Sequence, residues 1–287
     1  MREIKAKRSL ILMLLVICSV AMASAQENFT NSIGMEFVKI EPGTMTVGDF
    51  RPPYPVPEDT VKGANRPYMM WMGEGRPYSD AEFRLAKEMA MRDASNGFSV
   101  TLKNPYYLGK FEVTQGQWKK IMSSNPSTFI KGPDSDTHPV EGVTWREAIK
   151  FIKRLNKLEN TGRYRLPSEL EWEFAARAGA TNDIPWDQIQ ASANLSKTST
   201  VAVGSKQPNA WGLHDMLGNV WEWVEDYYNE KLFADPVPPS SGKQHVLKGA
   251  SFTGDVKNAS YMTHAAGPGN GWDIGFRVLL ESEDKKQ

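Results

Sequence analysis

Gly212-Leu-His-Asp215-Met-Leu-Gly218-Asn219-Val220-Trp221-Glu222-Trp223 is the stretch on which the reading of this chain turns. It sets two carboxylates, an amide and two indoles around a Gly-Asn turn. Hard oxygen donors gather there: Asp215 and Glu222 offer carboxylates, and Gly218 and Val220 can turn main-chain carbonyls toward the same centre. That mixed donor set suits calcium. The competing reading is a tight turn whose acids pair with arginines. Working outward, Arg165-Leu-Pro-Ser168-Glu-Leu-Glu171-Trp172-Glu173-Phe-Ala-Ala-Arg177-Ala-Gly179 lies upstream, and Gly275-Phe276-Arg277-Val278 lies near the end.

These three segments resemble the signatures of the formylglycine-generating enzyme, or sulfatase-modifying factor, family. The resemblance covers most of residues 31 to 281 apart from an insertion at about 49–98. It implies a single α+β domain, related to C-type lectins, with little regular secondary structure. It also implies that Asp215, Gly218, Val220 and Glu222 hold one structural calcium. A second family calcium site would begin at Asn194 and Leu195, but Ser196 to Gly204 contains no acid, so two of its four ligands have no counterpart. The family's founding activity depends on two cysteines, five residues apart, that bind copper. Here those places fall on Gly254 and Ala259, and a downstream arginine common in the family is replaced by Gly267. Cu(I) prefers soft thiolates, so copper is not expected, nor is formylglycine formation.

The N-terminus carries Arg2, Lys5, Lys7 and Arg8, an apolar run from Leu10 to Met22, and Ala23-Ser24-Ala25. That pattern fits a secretory signal peptide cleaved after Ala25, and the run is short for a bilayer span of about 20 residues. The expectation is an exported protein, periplasmic or extracellular, with a domain over 26–287 and no membrane span. The single cysteine, Cys18, lies inside that leader, and Ile17 stands where a lipoprotein would carry a small residue. Without a mature thiol there is no disulfide, and stability must come from a large core. Removing the four basic leader residues and Glu3 from 34 of each sign leaves 30 basic against 33 acidic residues, near minus three. Such a balance speaks against electrostatic capture of nucleic acid.

Helix starts are legible as Ser/Thr-x-x-Glu/Gln boxes, in which a hydroxyl and a carboxylate or amide satisfy orphan amides reciprocally. Ser79 with Glu82 predicts a helix to about Ser95, Thr114 with Gln117 one to about Met122, Thr144 with Glu147 one to about Asn160, and Ser168 with Glu171 one to Ala178. In the third, Trp145, Ala148, Ile149, Ile152 and Leu155 share a face. Gly179 suits a left-handed C-cap. Asn31 to Ile40 reads as the opening strand, Val246 to Lys248 as a short strand, and Ile274 to Leu280 as the closing one. The proline-rich stretch from Asp49 to Tyr78 reads as an irregular loop.

Glu169, Glu171 and Glu173 could suggest acid/base work, but glutamates in a first helical turn also complement the dipole and complete a cap. The histidines His138, His214, His245 and His264 lack the short spacings of a metal-binding helix. His245, His264 and Asp255 could still form a two-His-one-carboxylate iron site. Phe252, Asp255, Asn258, Tyr261 and Trp272 mix aromatic and polar side chains suited to a peptide, protein or glycan ligand. The functional expectation is a binding module without the copper chemistry. The alternatives are an oxidoreductase of the family's siderophore-maturation or non-haem iron branch, and a formylglycine-generating oxidase with a different site.

Overall fold

Residues 28–48, 97–181, 189, 191–229, 232, 237–254 and 260–283 are described by the computed structural model. The leader, the Ser79 box, nearly all of the insertion, and Asp255, Asn258 and Ala259 fall outside the described residues.

Three helices start at their hydroxyl boxes: α1 (Gln115–Ile121), α2 (Trp145–Leu158) and α3 (Glu169–Arg177). In each, the cap hydroxyl accepts the amide three residues on, and that residue's side chain accepts the cap amide, so two orphan donors are satisfied. On α2 the buried residues are Ala148, Phe151, Ile152 and Leu155, an arc that runs through Phe151. Trp145 and Ile149, expected on that face, sit at its edge, and Trp145 Nε1 donates to the Val224 carbonyl at 2.9 Å. The left-handed turn expected at Gly179 begins one residue earlier, with Ala178 at φ 47° and Gly179 at φ 85°. Asn209 Nδ2 donates to the carbonyls of Ala175 and Ala176, groups that a helix end leaves without intrahelical partners.

One sheet has five strands in the order β1 (Asn28–Thr30), β2 (Glu36–Ile40), β5 (Tyr106–Gly109), β11 (Leu279–Glu281), β6 (Tyr164–Arg165), every pair antiparallel. A second has β10 (Ile274–Phe276), β7 (Trp221–Tyr227), β8 (His245–Lys248) and β9 (His264–Ala266) in that order, with β10 parallel to β7. β3 (Gly43–Val47) pairs with β4 (Phe98–Leu102) across the insertion. The architecture is α+β, with few helices and short strands.

Two strands differ from their sequence reading. The opening strand starts only at Glu36, because Asn31 folds the preceding residues into a turn: its Oδ1 accepts the amides of Ile33 and Met35, and Gly34 has φ 81°. The closing strand is two strands in two sheets. Ile274–Phe276 joins the first strand of the signature, and Leu279–Glu281 joins the five-stranded sheet, with Arg277 turned inward between them. Alternation looks the same whether or not the chain changes sheets.

The core has two apolar clusters. One packs α3 against Leu213, Met216, Leu217 and Val224, the other packs α1 and α2 against Phe276 and Val278. Trp118 stacks on Phe151 at 5.5 Å and 3°. Each such fully buried side chain contributes about 1.5–3 kcal/mol, so a core of this extent can stabilise the fold without a disulfide. No helix among the described residues is long and apolar enough to cross a membrane.

Candidate functional site

The Gly212–Trp223 stretch crosses the interior as a turn of left-handed residues: Asp215 at φ 54°, Gly218 at φ 87° and Asn219 at φ 59°. Gly218 is required there twice over, since a Cβ would lie 2.3 Å from the Asn194 carbonyl oxygen and the φ already disfavours other residues. The turn lets Asn219 act as a clamp. Its Nδ2 donates to Glu112 Oε2 at 2.7 Å, its Oδ1 accepts the Val201 amide at 3.1 Å, and its carbonyl accepts from Phe252 at 2.9 Å.

Asp215 and Glu222 come into one buried cluster with Glu112 and Arg277. Arg277 holds Glu222 in a fork, Nε to Oε2 and Nη2 to Oε1 at 2.6 Å each, and Trp172 Nε1 adds a third bond at 2.7 Å. The same guanidinium donates to the carbonyls of Gly109 and His214. Asp215 accepts from Asn194 Nδ2 at 3.1 Å and from the Gly204 amide at 2.6 Å. Burial pushes the Glu112 carboxyl well above its ordinary range, and the charges of Asp215 and Glu222 push the same way. Burial also raises Asp215. Burial alone would lower Arg277, but Glu222 overrides it and the guanidinium is held more firmly charged.

Three carboxylates thus face one guanidinium. Two negative charges are left for protons or a divalent cation to neutralise, and in charge and donor type the residues fit calcium. Among the described residues no group of three or more His, Cys, Asp or Glu side chains could hold a metal, so calcium here would also need the carbonyls of Gly218 and Val220. Glu222 would have to share its carboxylate with Arg277 and Trp172. Asn194, where a second site was considered, spends its amide on Ser205 and Asp215.

The expected ligand-cleft residues separate. Phe252, fully buried, and Trp272, half-exposed at 51%, meet at 5.2 Å. Phe129 completes a triad, 5.4 Å from Phe252 and 6.1 Å from Trp272. Tyr261 is buried elsewhere, lining a cavity of about 520 Å³ beside Arg177, Leu213 and Met216. Beside the triad, Asp273 accepts from the hydroxyls of Ser251 at 2.8 Å and Thr253 at 3.4 Å. Glu141 accepts the amides of Thr128 and Phe129 through Oε1, while its Oε2 is buried without a hydrogen-bond partner. Burial pushes Glu141 above its ordinary range, partly offset by those amides, and Asp273 pushes it further up. Phe129, Glu141 and Asp273 were missed in the sequence. The Asn-Pro turn at 125–126 was the signal nearest Phe129.

The histidine pair does not assemble. Lys248 pairs with His264 across β8 and β9, so His245, three residues before Lys248, lies on the opposite face. His245 is stacked between Trp145 and Tyr227, at 3.7 and 4.3 Å, and its Nδ1 donates to Glu225. His264 faces Glu169 at 2.9 Å, beside Lys248 and Glu173. The α3 glutamates are likewise held by cations: Glu171 by Arg165, and Glu173 by Arg177 and Lys248.

Gly254, expected from the sequence at the place of the first family cysteine, donates its amide to the Ser251 carbonyl, and its own carbonyl accepts from Ser196. A Cβ there would meet Ser251 O at 2.9 Å. At Gly267, expected from the sequence to stand for a family arginine, a Cβ would lie 1.9 Å from the Trp223 ring, so the indole fills the space a side chain would need. The model of the sulfatase-modifying factor enzyme 1-like domain matches residues 28–282. The chain belongs to the sulfatase-modifying factor family. It is similar to a chaperone protein LppX of Paenibacillus barcinonensis, 30% identical over 260 residues that cover 68% of this chain and 88% of that one. It is similar to the mouse formylglycine-generating enzyme at 34% identity over 151 residues, 42% of this chain and 38% of the enzyme. The chain therefore aligns with well under half of that enzyme's length. The fold of Treponema denticola variable protein 1 superposes with a TM-score of 0.65 at 23% identity, covering 90% of this chain and all of the other.

Proposed function

We propose that this sulfatase-modifying factor family member is an exported binding module that engages another protein, with no copper-dependent oxidation of cysteine. The observation that carries the reading is the half-exposed Trp272, propped by Phe129 and Phe252. Half-exposed aromatics on a rigid support are the anchors that protein interfaces favour. The similarity to a protein named as a chaperone, over most of that protein's length, agrees with a polypeptide ligand. Calcium, held by Asp215, Glu222 and the carbonyls of Gly218 and Val220, would act structurally by offsetting buried charge and fixing the signature turn. The buried glutamates of α3 hold Lys248 and Arg177 in place.

A tiled peptide array probed with wild-type protein and with Trp272→Ala tests the reading. Captured peptides that are lost with the variant support it. Equal capture by both, or formation of formylglycine on a sulfatase-type cysteine peptide with copper, overturns it.

A further inference from the structure

Resting on the reading of the Phe129–Phe252–Trp272 surface as the binding site, we infer that the group it takes is cationic: an arginine or lysine side chain from a basic segment of the partner protein, laid on the exposed face of Trp272 with its charge against Asp273. The indole face is the strongest aromatic partner for such a cation. Phe129 and Phe252 meet that indole at 58° and 63°, so it is braced before the ligand arrives and little ordering is left to binding.

The charge pattern makes the site specific. Elsewhere in the molecule several buried carboxylates meet basic side chains: Glu222 meets Arg277, Glu173 meets Arg177 and Lys248, and Glu169 meets Lys248 and His264, while Glu112 and Asp215 share the field of Arg277. Glu141 and Asp273 feel each other's charge, yet neither takes part in an ion pair among the described residues. Asp273 Oδ2 takes the Ser251 and Thr253 hydroxyls, and its Oδ1 has no hydrogen-bond partner among the described residues. Glu141 is fully buried, with Oε2 unpartnered. It lies between the loop that carries Phe129, whose amide it accepts, and the loop that carries Trp272, since the neighbouring Gly142 amide donates to Gly271. An acid in that position adds its field through a low-dielectric interior, where it is screened less than a surface charge.

The hydroxyl donors at this rim are already committed. Thr253 directs its hydroxyl at Asp273, and so does Ser251. Besides the Trp272 indole N–H, what remains for a ligand is carboxylate oxygen beside an aromatic face, a charged acceptor that complements a donor-only cation better than a neutral sugar. A bare metal ion fits less well, because no set of three ligating side chains exists among the described residues.

The full chain, labelled for the indole N–H resonances and with Trp272 assigned by Trp272→Phe, is titrated with a blocked Gly-Arg-Gly-Arg-Gly peptide, its glutamate counterpart, and a neutral oligosaccharide. The expected result is a shift of the Trp272 signal with the arginine peptide only, and affinity that falls as salt is added. Asp273→Asn should weaken binding roughly fivefold, with Tm unchanged, and Glu141→Gln should weaken it less. Salt-insensitive binding, equal response to the oligosaccharide, or no response to the arginine peptide overturns the cationic inference. The proposed function survives those outcomes as long as Trp272→Ala still abolishes capture on the peptide array. If that variant captures normally, the binding surface itself is wrong.

Discussion

The signature turn and the aromatic surface both carry carboxylates, yet they treat them in opposite ways. Around Asp215 and Glu222, amides, an indole and a guanidinium converge on the acids, and Asn219 ties the turn to three other segments. Around Trp272, two acids share a field with no ion-pair partner among the described residues, and one oxygen is buried without a hydrogen-bond partner. The first arrangement gives the chain one fold. The second costs stability in the free protein and is the kind of deficit that a ligand can correct. The signature turn and the proposed binding surface touch through Phe252, whose amide bonds Asn219 and whose ring supports Trp272.

The sharpest way to break this contrast is to remove the cation from the saturated side. Arg277→Met leaves Glu222 buried with only Trp172, and loss of one partner of a buried pair costs about 3–5 kcal/mol. Trp272→Ala, on the other side, should cost only about 1–2 kcal/mol in urea unfolding, the loss of its packing on Phe129 and Phe252. Comparable losses from both variants would erase the distinction. A second comparison uses glycines. Gly218→Ala should cost about 2–4 kcal/mol, because left-handed strain adds to a clash with the Asn194 backbone. Gly254→Ala meets a carbonyl at 2.9 Å without a left-handed φ and should cost about 1 kcal/mol. Equal costs would show that the loop carrying Gly254 is as constrained as the signature.

Calcium sharpens the contrast further. Bound at about a hundred times its Kd, one ion stabilises the native state by about 2.7 kcal/mol, and each kcal/mol moves the Tm of a chain this size by about 2–4 °C. Chelator should therefore lower the Tm of the wild type. The same chelator should leave Glu222→Gln unmoved, whatever that variant's own Tm. Identical wild-type curves with and without chelator would remove the ion and leave protons on Glu112 and Asp215 to neutralise the surplus charge.

How far the sequence alone reached follows from how local each feature is. Capping boxes need only four residues, and the boxes at Thr114, Thr144 and Ser168 started their helices where expected. Glu222 and Asp215 were found together because one turn holds both. Glu112, which bonds Asn219 across 107 positions, carried no local sign of its role, and neither did Arg277 inside an alternating run. Phe129 joins the aromatic surface from more than a hundred residues away, whereas Tyr261, much nearer to Phe252 in sequence, faces another cavity. Long-range packing decides such placements, and periodicity says nothing about it.

The smallest effect separates a paired acid from an unpaired one by the sign of its pH dependence. Burial would raise Glu171, but the Arg165 fork overrides burial and holds its carboxyl below the ordinary value. Its stabilisation is therefore present above the unfolded value of about 4.3 and is lost as pH falls through its folded pKa. Glu141 behaves in the opposite way: burial holds its carboxyl above the ordinary value, so its favourable contribution is present below about 4.3 and is lost as pH rises through its folded pKa. Glu141→Gln keeps an oxygen for the Thr128 and Phe129 amides and removes the charge. Its stability relative to the wild type should therefore grow as pH is raised from about 4.3 toward neutrality. Urea midpoints across that range measure the difference. A variant that instead loses ground as pH rises would mean that the Glu141 carboxylate already has a cation in the free protein, and the two loops would then handle charge alike.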